Sequence, residues 1–270
     1  MNLKKFIYAY KRDQTIGLIN TFFGKIGIKY RLKNSIQKRI LFLQKSLKDI
    51  TKNVVQSGNY KEMKIGDIAW SEYDYCPKIL GFYEEEVQKE LCKINCKYIV
   101  NLGAAEGYHA IGQILSGTKQ NAICFEMDAK SRELIKINSK LNKIEDKITI
   151  LEKADENFLN LLKDKINLNF KDCVFLFDIE GDEFNIINKK NLEVLKKSKL
   201  IIELHKKKGS NDNSEFVEDL EKHYNLNFLT TGKRDLSNFL FLKKFIDIDR
   251  WLMASENRPD LMNWIICLPK

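Results

Sequence analysis

Four short runs of this 270-residue chain carry side chains able to do chemistry. Asn101-Leu102-Gly103-Ala104-Ala105-Glu106-Gly107 sets two glycines four residues apart, with a carboxylate before the second. Glu126-Met127-Asp128 adds two more carboxylates. Asp178-Ile179-Glu180-Gly181-Asp182-Glu183 and Glu203-Leu204-His205 place acids close to one of only three histidines, the others being His109 and His223. Gly103 would let the chain turn tightly and let its backbone approach a ligand. After Gly107, the free N–H groups of a starting helix would point back toward that ligand. Asp178, Glu180, Glu203 and His205 offer a ligand set whose oxygens suit Mg2+. Alternate residues of a strand face opposite ways, so Asp178 and Glu180 converge only if the turn redirects them.

The elements that must position these residues are legible as apolar runs. Strands are expected at Tyr98–Val100, Ala122–Phe125, Ile148–Leu151, Cys173–Phe177 and Leu200–Ile202, each followed by polar residues. Helical spacing lies between them, as at Leu134, Ile137, Leu141 and at Phe184, Ile187, Leu192, Leu195. Near-continuous apolar strands alternating with helices predict a parallel sheet covered on both faces. Ligands of such sheets bind at the C-terminal ends of the strands, where these acids cluster. The glycine run is not G-x-G-x-x-G, because Ala105 stands where the second glycine would let a pyrophosphate come close. A cofactor without phosphates fits better. Glu106 either favours a cationic ligand or is a favourable charge in a first helical turn.

N-L-G-A-A-E-G-Y, F-E-M-D, D-I-E-G-D-E and I-I-E-L-H, in this order and spacing, resemble class I S-adenosylmethionine-dependent methyltransferases. The resemblance is to the FkbM-like branch, whose members methylate hydroxyls of sugars and other small molecules, and it covers roughly residues 97–270. It implies a Rossmann-like α/β fold: a mostly parallel seven-stranded sheet ending in an antiparallel hairpin, for which Leu226–Thr230 and Trp264–Leu268 are suited. It also implies S-adenosylmethionine as cofactor. Gly103, Ala104 and Gly107 would line its methionine and ribose portions, with Asn101 and Glu106 beside them. Glu126 would hold the ribose with Met127 next to it, and Ala154 and Asp155 would flank the adenine. Asp178 would lie near the sulfonium and the acceptor. Asn101 departs from the family pattern, where many members carry an acidic residue.

The implied reaction is O-methylation of a sugar, glycan or glycolipid precursor. A hydroxyl needs its proton removed, and a base of near-neutral pKa suits that task. His205 is the first candidate and Asp178 the second. Tyr83, Glu180, Glu203, Asn257 and Arg258 are candidates for acceptor contact, Arg258 as a grip for a carboxylate or phosphate or, alternatively, as the partner of Glu256. Tyr83 and Glu84 precede the first strand, where related enzymes shape the acceptor pocket; Glu84–Glu86 also read as an acidic helix start. Two other readings stay open: an RNA or protein methyltransferase, and a non-catalytic cofactor-binding module of the same fold.

Composition frames these sites. Hydrophobic residues at 44% and charged residues at 31% suit a globular chain with a full core. Three parts are expected: a basic helical extension over 1–65, a bridging cap over 66–96 and the cofactor domain over 97–270. No run of 18 apolar residues and no secretory signal is read, so the expected location is cytoplasmic. The six cysteines lack C-x-x-C and read as reduced, mostly buried thiols. The net charge of +9 is uneven. Residues 1–52 hold 13 Lys and Arg against Asp13 and Asp49, leaving the rest at −2, which makes nucleic acid an unlikely partner. Ile36, Ile40, Leu43, Leu47 and Ile50 form one helix face, and Phe6, Ile7, Tyr10, Ile16, Ile19, Phe22 and Phe23 suggest further turns. A basic amphipathic helix can rest on an anionic membrane surface, the inner face in a cytoplasmic protein, or pack on its own domain or a second subunit.

Overall fold

The structure, a computed structural model, describes residues 14–23, 25, 32–69, 73–205, 213–258 and 261–270. Phe6, Ile7, Tyr10 and Asp13 of the arm and Pro259 of the last loop lie outside the described residues.

Helix α1 spans Ser35–Thr51 and starts in a capping box, with the Asn34 side chain accepting from Gln37 N and the Gln37 side chain accepting from Asn34 N. Two short helices follow, α2 (Tyr75–Leu80) and α3 (Glu85–Lys93). The sheet then begins: β1 (Tyr98–Leu102), α4 (Tyr108–Leu115), β2 (Asn121–Phe125), α5 (Ala129–Leu141), β3 (Ile148–Leu151), α6 (Phe158–Ile166) and β4 (Cys173–Phe177). It continues through α7 (Glu183–Ile186), α8 (Lys189–Leu195), β5 (Lys199–Glu203), α9 (Ser214–Glu221), β6 (Tyr224–Thr230), α10 (Asp247–Ala254) and β7 (Asn263–Pro269).

The seven strands lie in the order β3-β2-β1-β4-β5-β7-β6, and β7 runs opposite to the other six. This is the Rossmann-like α/β sheet expected from the sequence. The strand order reverses between β1 and β4, and a crevice lies outside the C-terminal ends of the strands at that point. The last two strands pair from Thr230↔Asn263 to Tyr224↔Pro269, but the connection between them is no tight turn, because it carries α10.

The sheet separates two apolar cores. One joins Val100, Phe125, Phe158, Phe175 and Phe177 under α6 and α8. The other joins Ile99, Leu176 and Ile201 to Leu43, Leu47, Tyr60, Ile79 and Leu91. That second core crosses the boundaries expected near 65 and 96, so the bridging residues and α1 cover one face of the sheet. The Tyr60 ring lies over Gly112, where an added Cβ would sit 2.3 Å from it. The helix face read in the arm is divided: Ile40, Leu43 and Leu47 are buried, whereas Ile36 and Ile50 are exposed. Arg39 Nε donates to Asp249 Oδ1 at 2.8 Å, tying α1 to α10. Packing on its own domain thus accounts for the middle of the stripe.

One helical face differs from the sequence reading. In α5 the buried side chains are Ser131, Ile135, Asn138 and Ser139, while Ile137 and Leu141 stay largely exposed. Asn138 displaces a hydrophobe because its amide accepts from Gly66 N at 2.8 Å and donates to the Glu106 carbonyl at 3.1 Å. All six cysteines are free thiols. No helix among the described residues is long and apolar enough to cross a membrane.

Candidate active site

The crevice at the C-terminal edge of β1, β2 and β4 opens into a cavity of about 600 Å³, within the range that holds a nucleotide-sized ligand. Of the expected cofactor residues, Gly103, Glu126, Met127, Ala154 and Asp178 line it, and Ala105 lines it beside them. Tyr83, Glu180, Asn257 and Arg258, named above as candidates for acceptor contact, line it as well.

The glycine run makes the floor. Gly103 leaves β1 with φ +80°, and a Cβ there would lie 1.7 Å from the Asp178 carbonyl oxygen. The close approach this glycine permits is therefore first to the backbone of β4. Ala105 also takes a left-handed φ of 49°, which an L residue adopts only under constraint. Glu126 supplies the constraint: one of its oxygens accepts from Ala105 N at 2.8 Å and the other from Asp128 N at 2.8 Å. The Glu126 side chain is thus fixed in the wall at the end of β2, with lone pairs to spare for hydroxyl donors. Gly107, φ +87°, caps the N-terminus of α4 and packs against Ile111 and Ile135.

Four expected cofactor contacts stand elsewhere. Asn101 and Ala104 line a smaller cavity of about 30 Å³ beneath the turn, and Gly107 lies behind it. Asp155 is exposed and turned to its own loop, where its carboxylate accepts from Asn157 N. Glu106 borders the main cavity, but its carboxylate is spent internally: Lys78 Nζ donates to it at 2.6 Å and Ala69 N at 3.0 Å. The buried Lys78 ammonium also lies 4.4 Å from the centre of the Tyr83 ring. This pair clamps α2 onto the glycine run. Lys78 escaped the sequence reading because a lone lysine in a six-residue helix carries no pattern.

On the acceptor side, Arg258 is neither solvated nor free to grip a ligand. It donates to Glu84, to the Tyr83 hydroxyl at 2.9 Å, to Glu203 Oε1 at 3.3 Å and to Glu256 Oε2 at 3.2 Å. Glu84 is buried in the left-handed region at the start of α3, and its other oxygen meets His109 Nε2 at 2.8 Å. Burial opposes its ionisation, but the His109 hydrogen bond and the Arg258 charge outweigh it and hold its pKa at about 2. His109 is a packing group in this network, with Nδ1 3.1 Å from the Tyr60 hydroxyl.

Glu203 and His205 do not line the main cavity and stand behind Asp178. The turn after β4 brings Asp178 and Glu180 to the same side, because Glu180 and Gly181 both have positive φ (56° and 98°). His205 Nδ1 lies 3.1 Å from Glu183 Oε1, and its Nε2 faces Asp178, Glu180 and Glu203 at 4.0, 3.6 and 4.0 Å. Burial resists protonation of His205, yet the Glu183 hydrogen bond and the surrounding carboxylates raise its pKa. Burial, with the Glu84 charge, pushes Asp178 up to about 6. Burial and the Asp178 charge push Glu203 far above the carboxylate range.

No protein-family model matches the chain, and no curated protein does. Among solved structures it is similar to the O-methyltransferase from Bacillus cereus in complex with SAH, at 12% identity, 95% of this chain, 99% of that chain and a TM-score of 0.45. It is also similar to the B. subtilis tRNA methyltransferase TrmK, at 10% identity, 68% of this chain, 65% of that chain and a TM-score of 0.42. A third likeness is to an rRNA methylase from Streptococcus thermophilus, at 11% identity, 68% of this chain, 95% of that chain and a TM-score of 0.42.

Proposed function

We propose that the chain is an S-adenosylmethionine-dependent methyltransferase that methylates a hydroxyl of a small polar acceptor, with a sugar or glycan precursor as the preferred class. The observation that carries this reading is the Glu126 carboxylate, pinned by two backbone N–H groups at the end of β2 in the wall of a 600 Å³ cavity. A carboxylate held there suits ribose hydroxyls, and Ala105 in place of a glycine disfavours a pyrophosphate. The family resemblance of the four motifs points the same way.

Bound S-adenosylmethionine supplies a methyl group already activated on a sulfonium. The chain's own task is to hold the acceptor oxygen in line and to take its proton. Of the two base candidates, Asp178 lines the cavity and takes the base role here in preference to His205. His205 lies behind it, and its neighbouring acids favour the charged imidazolium. With the methyl donor bound, Asp178 would accept the proton that the acceptor hydroxyl loses as it is methylated. Tyr83 and Asn257 are left to orient the acceptor, since Arg258 is committed to Glu84, Glu203 and Glu256.

A small acceptor is favoured over RNA by the wall itself. Seven acids border the cavity (Asp74, Glu106, Glu126, Asp178, Glu180, Asp182 and Glu256) against Lys78, Lys153 and Arg258, and this excess of acids would repel a phosphodiester backbone. Membrane contact through residues 1–52, if the acceptor is lipid-linked, would fall to exposed side chains such as Ile36 and Phe42 beside the lysines of α1. The test is to incubate the purified chain with methyl-labelled S-adenosylmethionine and fractionated cell extract. The reading expects label in a polar small-molecule or glycan fraction. Label in RNA or protein alone would overturn the acceptor class.

A further inference from the structure

We infer that Asp178, Glu203 and His205 form a binding site for a divalent cation of the Mn2+ type, beside the acceptor end of the cavity. One ligand atom from each of the three lies within 4.8 Å of the other two. Opposite ligands on a cation with bonds of about 2.1 Å stand about 4.2 Å apart. One acid can therefore stand opposite His205 Nε2 at nearly its present 4.0 Å, while the other must draw in to the roughly 3 Å that separates adjacent ligands, a closure of about 1 Å.

Two further observations distinguish this cluster from ordinary acidic surface. Glu203 is almost wholly buried, and its Oε2, the atom facing His205, has no hydrogen-bond partner. A buried, unpartnered carboxylate oxygen is costly unless a positive group meets it. His205 is also held as a ligand would be. Its Nδ1 is turned to the buried Glu183 carboxylate at 3.1 Å, which fixes that nitrogen as the donor and leaves Nε2 facing the acids. Glu180, exposed on the positive-φ turn and 3.6 Å from Nε2, is placed to serve as a fourth, outer ligand.

The donor set decides the ion. Carboxylates alone suit Mg2+, but an imidazole in the set shifts preference to a first-row transition ion, and Mn2+ accepts both ligand types. Asp178 has two oxygens, one for the ion and one for the cavity. A cation here would ease deprotonation of an acceptor hydroxyl, a role that rests on the methyl-transfer reading; binding of the ion does not.

The experiment is a titration of chelator-treated, full-length chain with Mn2+, following the free ion by its paramagnetic resonance signal. The expected result is uptake of one Mn2+ per chain, weakened at least tenfold in Glu203→Gln and in His205→Ala. Circular dichroism on both variants establishes that they fold. No uptake by the wild type, or uptake unchanged in both folded variants, overturns the site and means that Arg258 and protons alone balance these acids. Calorimetry with S-adenosylhomocysteine on the same preparation separates the two readings. Cofactor binding without Mn2+ uptake sinks only the ion site, and Mn2+ uptake without cofactor binding sinks only the methyltransferase.

Discussion

Gly103 and the Asp178 carbonyl touch so closely that a methyl group added to the glycine would lie 1.7 Å from that oxygen. The ends of β1 and β4 are joined at this point, and the same turn presents the Asp178 side chain to the cavity. Replacing Gly103 by alanine forces the strands apart and strains a backbone held at φ +80°. Gly103→Ala should lose about 2 kcal/mol or more of stability, together with cofactor binding. Urea unfolding followed by circular dichroism checks the first effect. An unchanged midpoint would show that the contact is looser than described.

Asp178→Asn keeps the shape of the wall and removes the proton acceptor. Turnover of labelled S-adenosylmethionine should fall about 10²- to 10⁴-fold, with cofactor affinity nearly unchanged. His205→Ala is the informative companion. A loss from that variant as large as from Asp178→Asn, without Mn2+ dependence, would return the base role to the histidine.

Glu84 ties Arg258 and His109 together from a buried position. Glu84→Gln leaves the Arg258 guanidinium short of a carboxylate in a buried network and should cost about 3–5 kcal/mol near neutral pH. The pH dependence has a definite sign. The folded pKa of Glu84 is lowered to about 2, below its ordinary value near 4.5. Its contribution is therefore present above the unfolded value and lost as pH falls through the folded one. The stability gap between wild type and variant should narrow as pH drops from about 4.5 toward 2. Unfolding curves across that range test it, and a gap independent of pH would remove the ionised form from the account.

Arg258 makes a fourth case. Its N–H groups reach three carboxylates and one phenol hydroxyl in different directions. A lysine cannot reproduce that fork. Arg258→Lys should lower the melting temperature by several degrees and weaken acceptor binding, while cofactor binding at Glu126, on the far side of the sheet's crevice, holds. Equal losses for cofactor and acceptor would mean that the network supports the whole cavity.

The sheet was legible because its strands are apolar runs ending in acids: β3 and β4 have the expected bounds, and the other strands extend by one or two residues. Glu126, Asp178 and Gly103 were legible because strand ends and positive-φ turns leave local signatures. The helical faces were harder. In α5, Asn138 is buried for its hydrogen bonds to Gly66 and Glu106, a partner choice that hydrophobic spacing does not record. Lys78, and the contact that joins Arg258 to Glu84, were hidden for the same reason, although both partners of that contact were named as pocket candidates. Each of the three is a common surface residue type whose burial depends on partners far along the chain, 174 residues apart for Arg258 and Glu84. His205 was read as an open base because the sequence does not tell which acids surround a strand end.

The central claim is that Glu126 holds an adenosyl ribose, and calorimetric titration with S-adenosylhomocysteine addresses it most directly. Hydrogen bonds to a charged group are worth about 1.5–3 kcal/mol each. The account predicts one site per chain in the wild type and binding about 10- to 100-fold weaker in Glu126→Gln. Absence of binding to the folded wild type, or equal affinity in the variant, would contradict it.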